Sequence, residues 1–199
     1  MEKTKTGLKK YPTIAVCGLD CGLCPRYYTQ GPSRCPGCCG PDFFNKHPSC
    51  SFITCCVKKK NLEVCGECAE FPCSKFKTEE EYQQLDESSS YPSNKIVLKN
   101  LYFVKEHGIK KFMDQQKKRI KLLEKMIEKF DDGRSRSFFC RAACLLDLKS
   151  LEDSIKKAEQ KIKADGIKKD DTKVKANILK ENLDKIAIKK KIELVKRKK

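Results

Sequence analysis

Four runs decide how this chain folds: CGLDCGLC (Cys17–Cys24), CPGCCG (Cys35–Gly40), CSFITCCV (Cys50–Val57) and CGECAEFPC (Cys65–Cys73). Together they hold twelve of the fourteen cysteines in under sixty residues. A stretch so poor in Leu, Ile and Val needs a staple to fold, either disulfides or a metal. Three pairs have the C-x2-C spacing: Cys21/Cys24, Cys35/Cys38 and Cys65/Cys68. Two intervening residues let both sulfurs reach one ion while nearby amides turn toward them. One such pair is weak evidence. Three in series, with Cys17, Cys50, Cys55, Cys56 and Cys73 to complete the shells, form a specific signal.

Metal is preferred to disulfides because nothing marks the chain for export. MEKTKTGLKKYPTIAVCGL has only a brief apolar run after its basic start, too short for a signal-peptide core. No stretch approaches the ~18 apolar residues of a membrane span. A cytoplasmic location without membrane contact is expected, where clustered thiols stay reduced and more often hold metal.

Hydrophobic residues make up 39% of the 199, mean hydropathy is −0.63 and tryptophan is absent, so the core must be modest. All eight prolines lie at or before Pro92, and the pattern changes there. Thr13 to Leu19 (TIAVCGL) is β-branched enough for a short strand. Residues 1–10 read as a frayed leader, and the run DESSSYPS lies in a linker. Beyond it the apolar period becomes helical. Ile109, Phe112, Met113, Gln116, Ile120, Leu123, Ile127 and Phe130 share one face of a long helix ended by Asp132-Gly133. A second helix, capped by Ser137, carries Ala142, Leu145, Leu148, Leu151, Ile155, Ala158 and Ile162. A third starts near Asp171-Thr172 and uses Ile178, Leu179, Leu183 and Ile186. KIELVKRKK closes the chain as a short strand or a loose end.

The resulting expectation is a small metal-stapled, loop-rich α+β N-terminal domain (1–76), a linker (77–93) and a basic, mainly α-helical region (94–199). The candidate metal ligands are Cys17, Cys21, Cys24, Cys35, Cys38, Cys50, Cys55, Cys56, Cys65, Cys68 and Cys73. Zn²⁺ suits four thiolates in a tetrahedron. The alternative is a [4Fe–4S] cluster, since sulfur-only ligation with Cys24-Pro25 also occurs at cluster sites. Cys17, Cys21 and Cys24 do match the C-x3-C-x2-C spacing of radical S-adenosylmethionine enzymes. Repeated βα units and a downstream glycine-rich motif are missing, which argues against that chemistry. Thioredoxin-like redox work lacks its βαβ setting. Adjacent Cys55 and Cys56 cannot both easily reach one ion. His47 more often serves as a loop residue than as a nitrogen ligand, and Cys140 and Cys144 more often as small buried side chains than as a metal clip.

The cysteine pattern, as CGLDCGLC…CPGC…CVKKKNLEVCGECAEFPC, resembles the prokaryotic cysteine-rich family catalogued as domain of unknown function 3795. HGIKKFMDQQ (His107–Gln116), DGRSRSFFCRAACLLDL (Asp132–Leu148) and the closing IELVKRKK resemble further stretches of it. The resemblance implies a metal site, commonly supposed to be zinc, and no established activity. It carries the ligand pattern to Cys17, Cys21, Cys24, Cys35, Cys38, Cys50, Cys65, Cys68 and Cys73. Cys56 keeps the family's interval to Cys65, and Cys39 is a departure from the pattern.

The formal charge of +17 is uneven: 14 Lys+Arg against 11 Asp+Glu in residues 1–100, then 30 against 16. Acids alternate with the lysines through most of the second half, which suits solvated helix faces with i,i+4 pairs. Nucleic acid, if bound, would be bound without specificity, because no aromatics are mixed into the basic C-terminus for stacking. Arg134, Arg136 and Arg141 surround a helix start where an anion is favoured. The functional expectation is a non-catalytic, metal-binding module for interaction with a protein partner or for regulation. An iron–sulfur or thiol redox protein is the rival.

Overall fold

The computed structural model describes residues 8–78 and 93–194, with only the backbone for 93–95. Most of the linker and the ends of the leader and C-terminal tail (79–92, 1–7 and 195–199) lie outside the described residues. Two compact units divide the chain, Met1–Gln116 and Lys117–Lys199.

No strand occurs among the described residues, so the α+β expectation is corrected to an all-helical fold with irregular cysteine loops. Thr13 to Leu19 shows why. Ile14, Ala15 and Val16 are buried as their apolar character demands, but their backbone is folded into turns. The Ala15 amide bonds the Leu19 carbonyl (2.7 Å), Gly22 bonds Thr13 (2.7 Å), and Cys65 reaches across to Val16 (2.9 Å). Every partner is a loop group, which leaves no ladder for a strand to join. β-branched composition reports burial here, not extension.

In the first unit, α1 (Phe43–Lys46) is a single turn and Ile53–Lys59 forms a π-helical segment. Short 3₁₀ turns, Cys21–Leu23 and Cys65–Glu67, open two of the C-x2-C pairs. The unit is built around α2 (Ser93–His107), a helix not distinguished in the sequence reading. Val97, Leu98, Leu101 and Val104 are buried in one core with Ile14, Val16, Phe43, Ile53, Val57, Val64 and Phe71. Two loops approach α2 so closely that only glycine fits. A Cβ on Gly66 would stand 2.5 Å from the Leu101 carbonyl oxygen, and one on Gly18 2.6 Å from that of Val97. Gly18 also holds φ +94°, a conformation that favours glycine.

Gly108, at φ +81°, separates α2 from α3 (Ile109–Phe130). The expected face of α3 is the one turned inward: Phe112, Met113, Gln116, Leu123 and Phe130 are buried, and Met126 joins them. Gln116 belongs there for a polar reason. Its amide donates to the Thr13 carbonyl (2.9 Å) and to the Asp20 carboxylate, while its oxygen accepts from the Thr13 hydroxyl (2.7 Å). Asn100 on α2 donates to the same carboxylate (3.2 Å) and to the Gly18 carbonyl (2.9 Å). A buried carboxylate is thus supplied with amide donors from both helices, as burial requires. Lys9 is likewise buried rather than frayed. Its amide bonds the Cys39 carbonyl (3.0 Å) and its ammonium the Ile14 carbonyl (2.5 Å).

In the second unit the one helix expected after Ser137 is two, α4 (Arg136–Leu145) and α5 (Leu148–Ala164). Asp147 breaks it. Its carboxylate accepts from the Ser150 amide (2.9 Å) and hydroxyl (2.8 Å), so the side chain starts a new helix instead of continuing the old. α6 (Thr172–Lys189) begins after Asp171 as the sequence indicates, and it packs against α5 through Ile178, Leu179 and Leu183.

Asp147 also meets Lys190 at 2.8 Å. That ammonium, then the Ser150 groups, hold its carboxyl below the usual carboxylate range. Asp147→Ala is expected to cost about 1 kcal/mol, chiefly through the lost cap, because the half-exposed ion pair adds little. A carboxylate with a depressed folded pKa stabilises above its unfolded value, and that contribution is lost as pH falls through the folded one. Urea midpoints of the wild type and variant should therefore differ at neutral pH and converge in strong acid.

Candidate functional site

The described residues place most of the first unit's cysteines in two neighbourhoods, and no disulfide joins any of the fourteen. Five thiols, Cys55, Cys56, Cys65, Cys68 and Cys73, line a cavity of about 20 Å³ walled by Phe52, Phe71 and Phe76. A space of this size accommodates about one water-sized sphere. Three elements supply the thiols. The π-helical segment carries Cys55 and Cys56, and the Cys65–Glu67 turn carries Cys65 and delivers Cys68 at its end. Cys73 follows two residues after Phe71. A π-helix has more residues per turn than an α-helix, so consecutive side chains diverge less. Adjacent Cys55 and Cys56 both line this cavity. The Cys65 thiol donates to the buried Cys56 sulfur, and this bond, ahead of burial, pushes the Cys65 thiol upward.

The second neighbourhood is built by Cys17, Cys21 and Cys38, with Cys50 near enough to act electrostatically on Cys17. Cys24 and Cys35 influence one another beside it. The sulfurs here are served by the backbone. The amide of Leu19 hydrogen-bonds Cys17, that of Cys38 bonds Cys21, those of Arg26 and Tyr27 bond Cys24, and that of Val16 bonds Cys38. Such donors favour thiolates, but burial outweighs them. Desolvation pushes Cys17 up to about 12 and also raises Cys21 and Cys24. The Cys39 thiol donates to Cys38, lowering Cys38 and raising itself. The ammonium of Lys9 favours thiolate at Cys21, Cys38, Cys39 and Cys65.

Among the described residues, no three Cys, His, Asp or Glu side chains converge tightly enough to form an ion's shell as they stand. The donor set nevertheless has the features a thiolate shell would draw on: clustered sulfurs, backbone amides directed at them, and a cation beside each neighbourhood. His47 follows α1, and its ring lies 5.0 Å from that of Phe43, a packing role. Cys140 and Cys144 are buried on α4 in the second unit. The arginines near α4 are engaged within the protein. Arg136 makes a pair of 3.1 Å contacts to Asp131, and Arg141 donates to the Glu193 carbonyl.

Lys60, Lys9 and Asp20 are site residues that the sequence reading passed over. Lys60 sits in CVKKKN, where nothing in the sequence distinguishes one lysine from the next. The ammonium of Lys58 lies over the Phe44 ring, whereas that of Lys60 turns to Cys68.

No helix among the described residues is long and apolar enough to cross a membrane. No curated protein and no solved structure matches the chain. The stretches around α3, α4 and the C-terminus that resemble the same family lie beyond the residues that its model matches. Residues 13–78, the cysteine-rich stretch itself, match the model of the family described as protein of unknown function (DUF3795).

Proposed function

We propose that the first unit is a metal-binding module holding Zn²⁺ through its two groups of cysteines, with an interaction or regulatory role and no catalysis. The observation that carries this reading is the cavity lined by five thiols, a donor set that suits a tetrahedral Zn²⁺.

The thiol chemistry points the same way. A redox cysteine works as an accessible thiolate of lowered pKa. Burial instead drives Cys17, Cys21 and Cys24 toward the protonated form, and Cys38, lowered by the bond from Cys39, is buried rather than accessible, while amides wait at each of these sulfurs. A divalent cation supplies the charge that would let these thiols lose their protons.

Elemental analysis of anaerobically purified protein tests the reading. Colourless protein with at least one zinc per chain is expected. Brown protein absorbing near ~400 nm would assign iron–sulfur clusters instead. Metal-free protein with several disulfides would sink both.

A further inference from the structure

Lys60 stands at the edge of the five-thiol cavity. Its ammonium donates to the Cys68 sulfur at 3.2 Å and to the Glu70 carboxylate at 2.6 Å. We propose that Lys60 is the charge-compensating donor of the metal–thiolate centre at this cavity, aimed at Cys68 by Glu70. The inference rests on the metal reading and assigns a positioning role within it.

Four thiolates on a divalent ion leave a double negative charge, which partial burial makes costly. An ammonium in direct contact with one sulfur offsets part of that charge, and a charge-assisted hydrogen bond is about twice as strong as a neutral one. The same bond draws electron density from the sulfur and makes it a poorer nucleophile toward outside electrophiles. Glu70 explains how a flexible four-carbon side chain holds this position. On its own, the Lys60–Glu70 pair is a rim contact of little worth, since the Glu70 side chain is 73% exposed. Placed beside Cys68, it fixes the direction of a cation. The arrangement also separates Lys60 from its neighbour Lys58, which faces an aromatic ring and no sulfur.

The test uses the full chain with Lys60→Met, Lys60→Arg and Glu70→Gln. Zinc affinity is read by competition with a chromophoric chelator, and the thiolate-to-metal charge-transfer band is read after Co²⁺ loading. Lys60→Met should weaken zinc binding about 10–100-fold, the usual effect of losing a partner that supports a ligand. Its cobalt band should move to lower energy, because an unbonded sulfur gives up charge more easily. Lys60→Arg should restore most of both, and Glu70→Gln should fall between. A merely structural lysine would leave the band in place. Lys60→Met protein with affinity within about twofold of wild type and an unmoved band would overturn the inference and leave the metal reading standing. Wild-type protein that takes up no metal would overturn both. If Lys60→Met does not fold, Glu70→Gln decides: an unchanged affinity and band overturn the proposed aiming of Lys60.

Discussion

Cys68→Ser is expected to weaken metal retention at the five-thiol cavity severely and to destabilise the first unit, and Cys21→Ser to do the same from the other neighbourhood. Magnitudes make this the largest effect. Structural zinc supplies an apparent ~10–16 kcal/mol in small zinc-dependent folds, against a total domain stability of about 5–15 kcal/mol. The loops of the first unit are built from turns, short 3₁₀ segments and one π-helical segment, with little backbone order of their own. Without the ion, five thiols around a small cavity contribute only modest packing, and the phenylalanines around them lose their common anchor. Circular dichroism melts with and without a chelator, together with metal content by mass spectrometry, read the outcome. Either variant keeping both its melting temperature and its metal would contradict the assignment.

The second largest effect falls on Leu101→Ala, with an expected loss of about 3 kcal/mol. Leu101 is fully buried on α2, and two loops meet it: its side chain lies where a Cβ on Gly18 would go, and its carbonyl abuts Gly66. Truncation would open a cavity beneath both cysteine loops, where backbone already in van der Waals contact with the helix cannot collapse to fill it. Gly66→Ala probes the same contact from the other side, by overpacking against a backbone atom at 2.5 Å. Both variants should lower the denaturant midpoint with little change in slope. If Leu101→Ala were to shift stability by under about 1 kcal/mol, α2 would not be the element on which the loops depend.

The helices of the second half are legible in the sequence because a 3.6-residue period survives any tertiary context that buries one side. α3 and α6 follow from that period and from Asp171. The α4–α5 break does not, since the apolar spacing runs through Leu145 and Leu148 without interruption while Asp147 captures the Ser150 amide. α2 is hidden for a different reason. IVLKNLYFV is apolar at most positions, buried among loops, and lacks the clean polar stripe of a surface helix. Thr13 to Leu19 misleads because its residues obey burial while its backbone obeys the turn at Gly18.

The candidate site divides likewise. Spacing singles out the candidate cysteines, but not which of them share a neighbourhood. Cys21 and Cys24 are near in sequence, yet the thiols bearing on Cys21 include Cys38, and the one bearing on Cys24 is Cys35. Polar partners such as Gln116 and Lys60 carry no local signature, because what defines them is a group far off in the chain.

That distance sets an order of events during synthesis. Asp20 and the Gly18 carbonyl take amide donors from Asn100 and Gln116, 80 to 96 residues later. Such non-local closure is slow and leaves the early segment open while the ribosome is still at work. All twelve cysteines of the first unit are therefore synthesised before the helices that cover their loops. The nascent chain meets its cellular thiol and metal environment in that interval, and the final packing against α2 then determines how readily anything captured can leave.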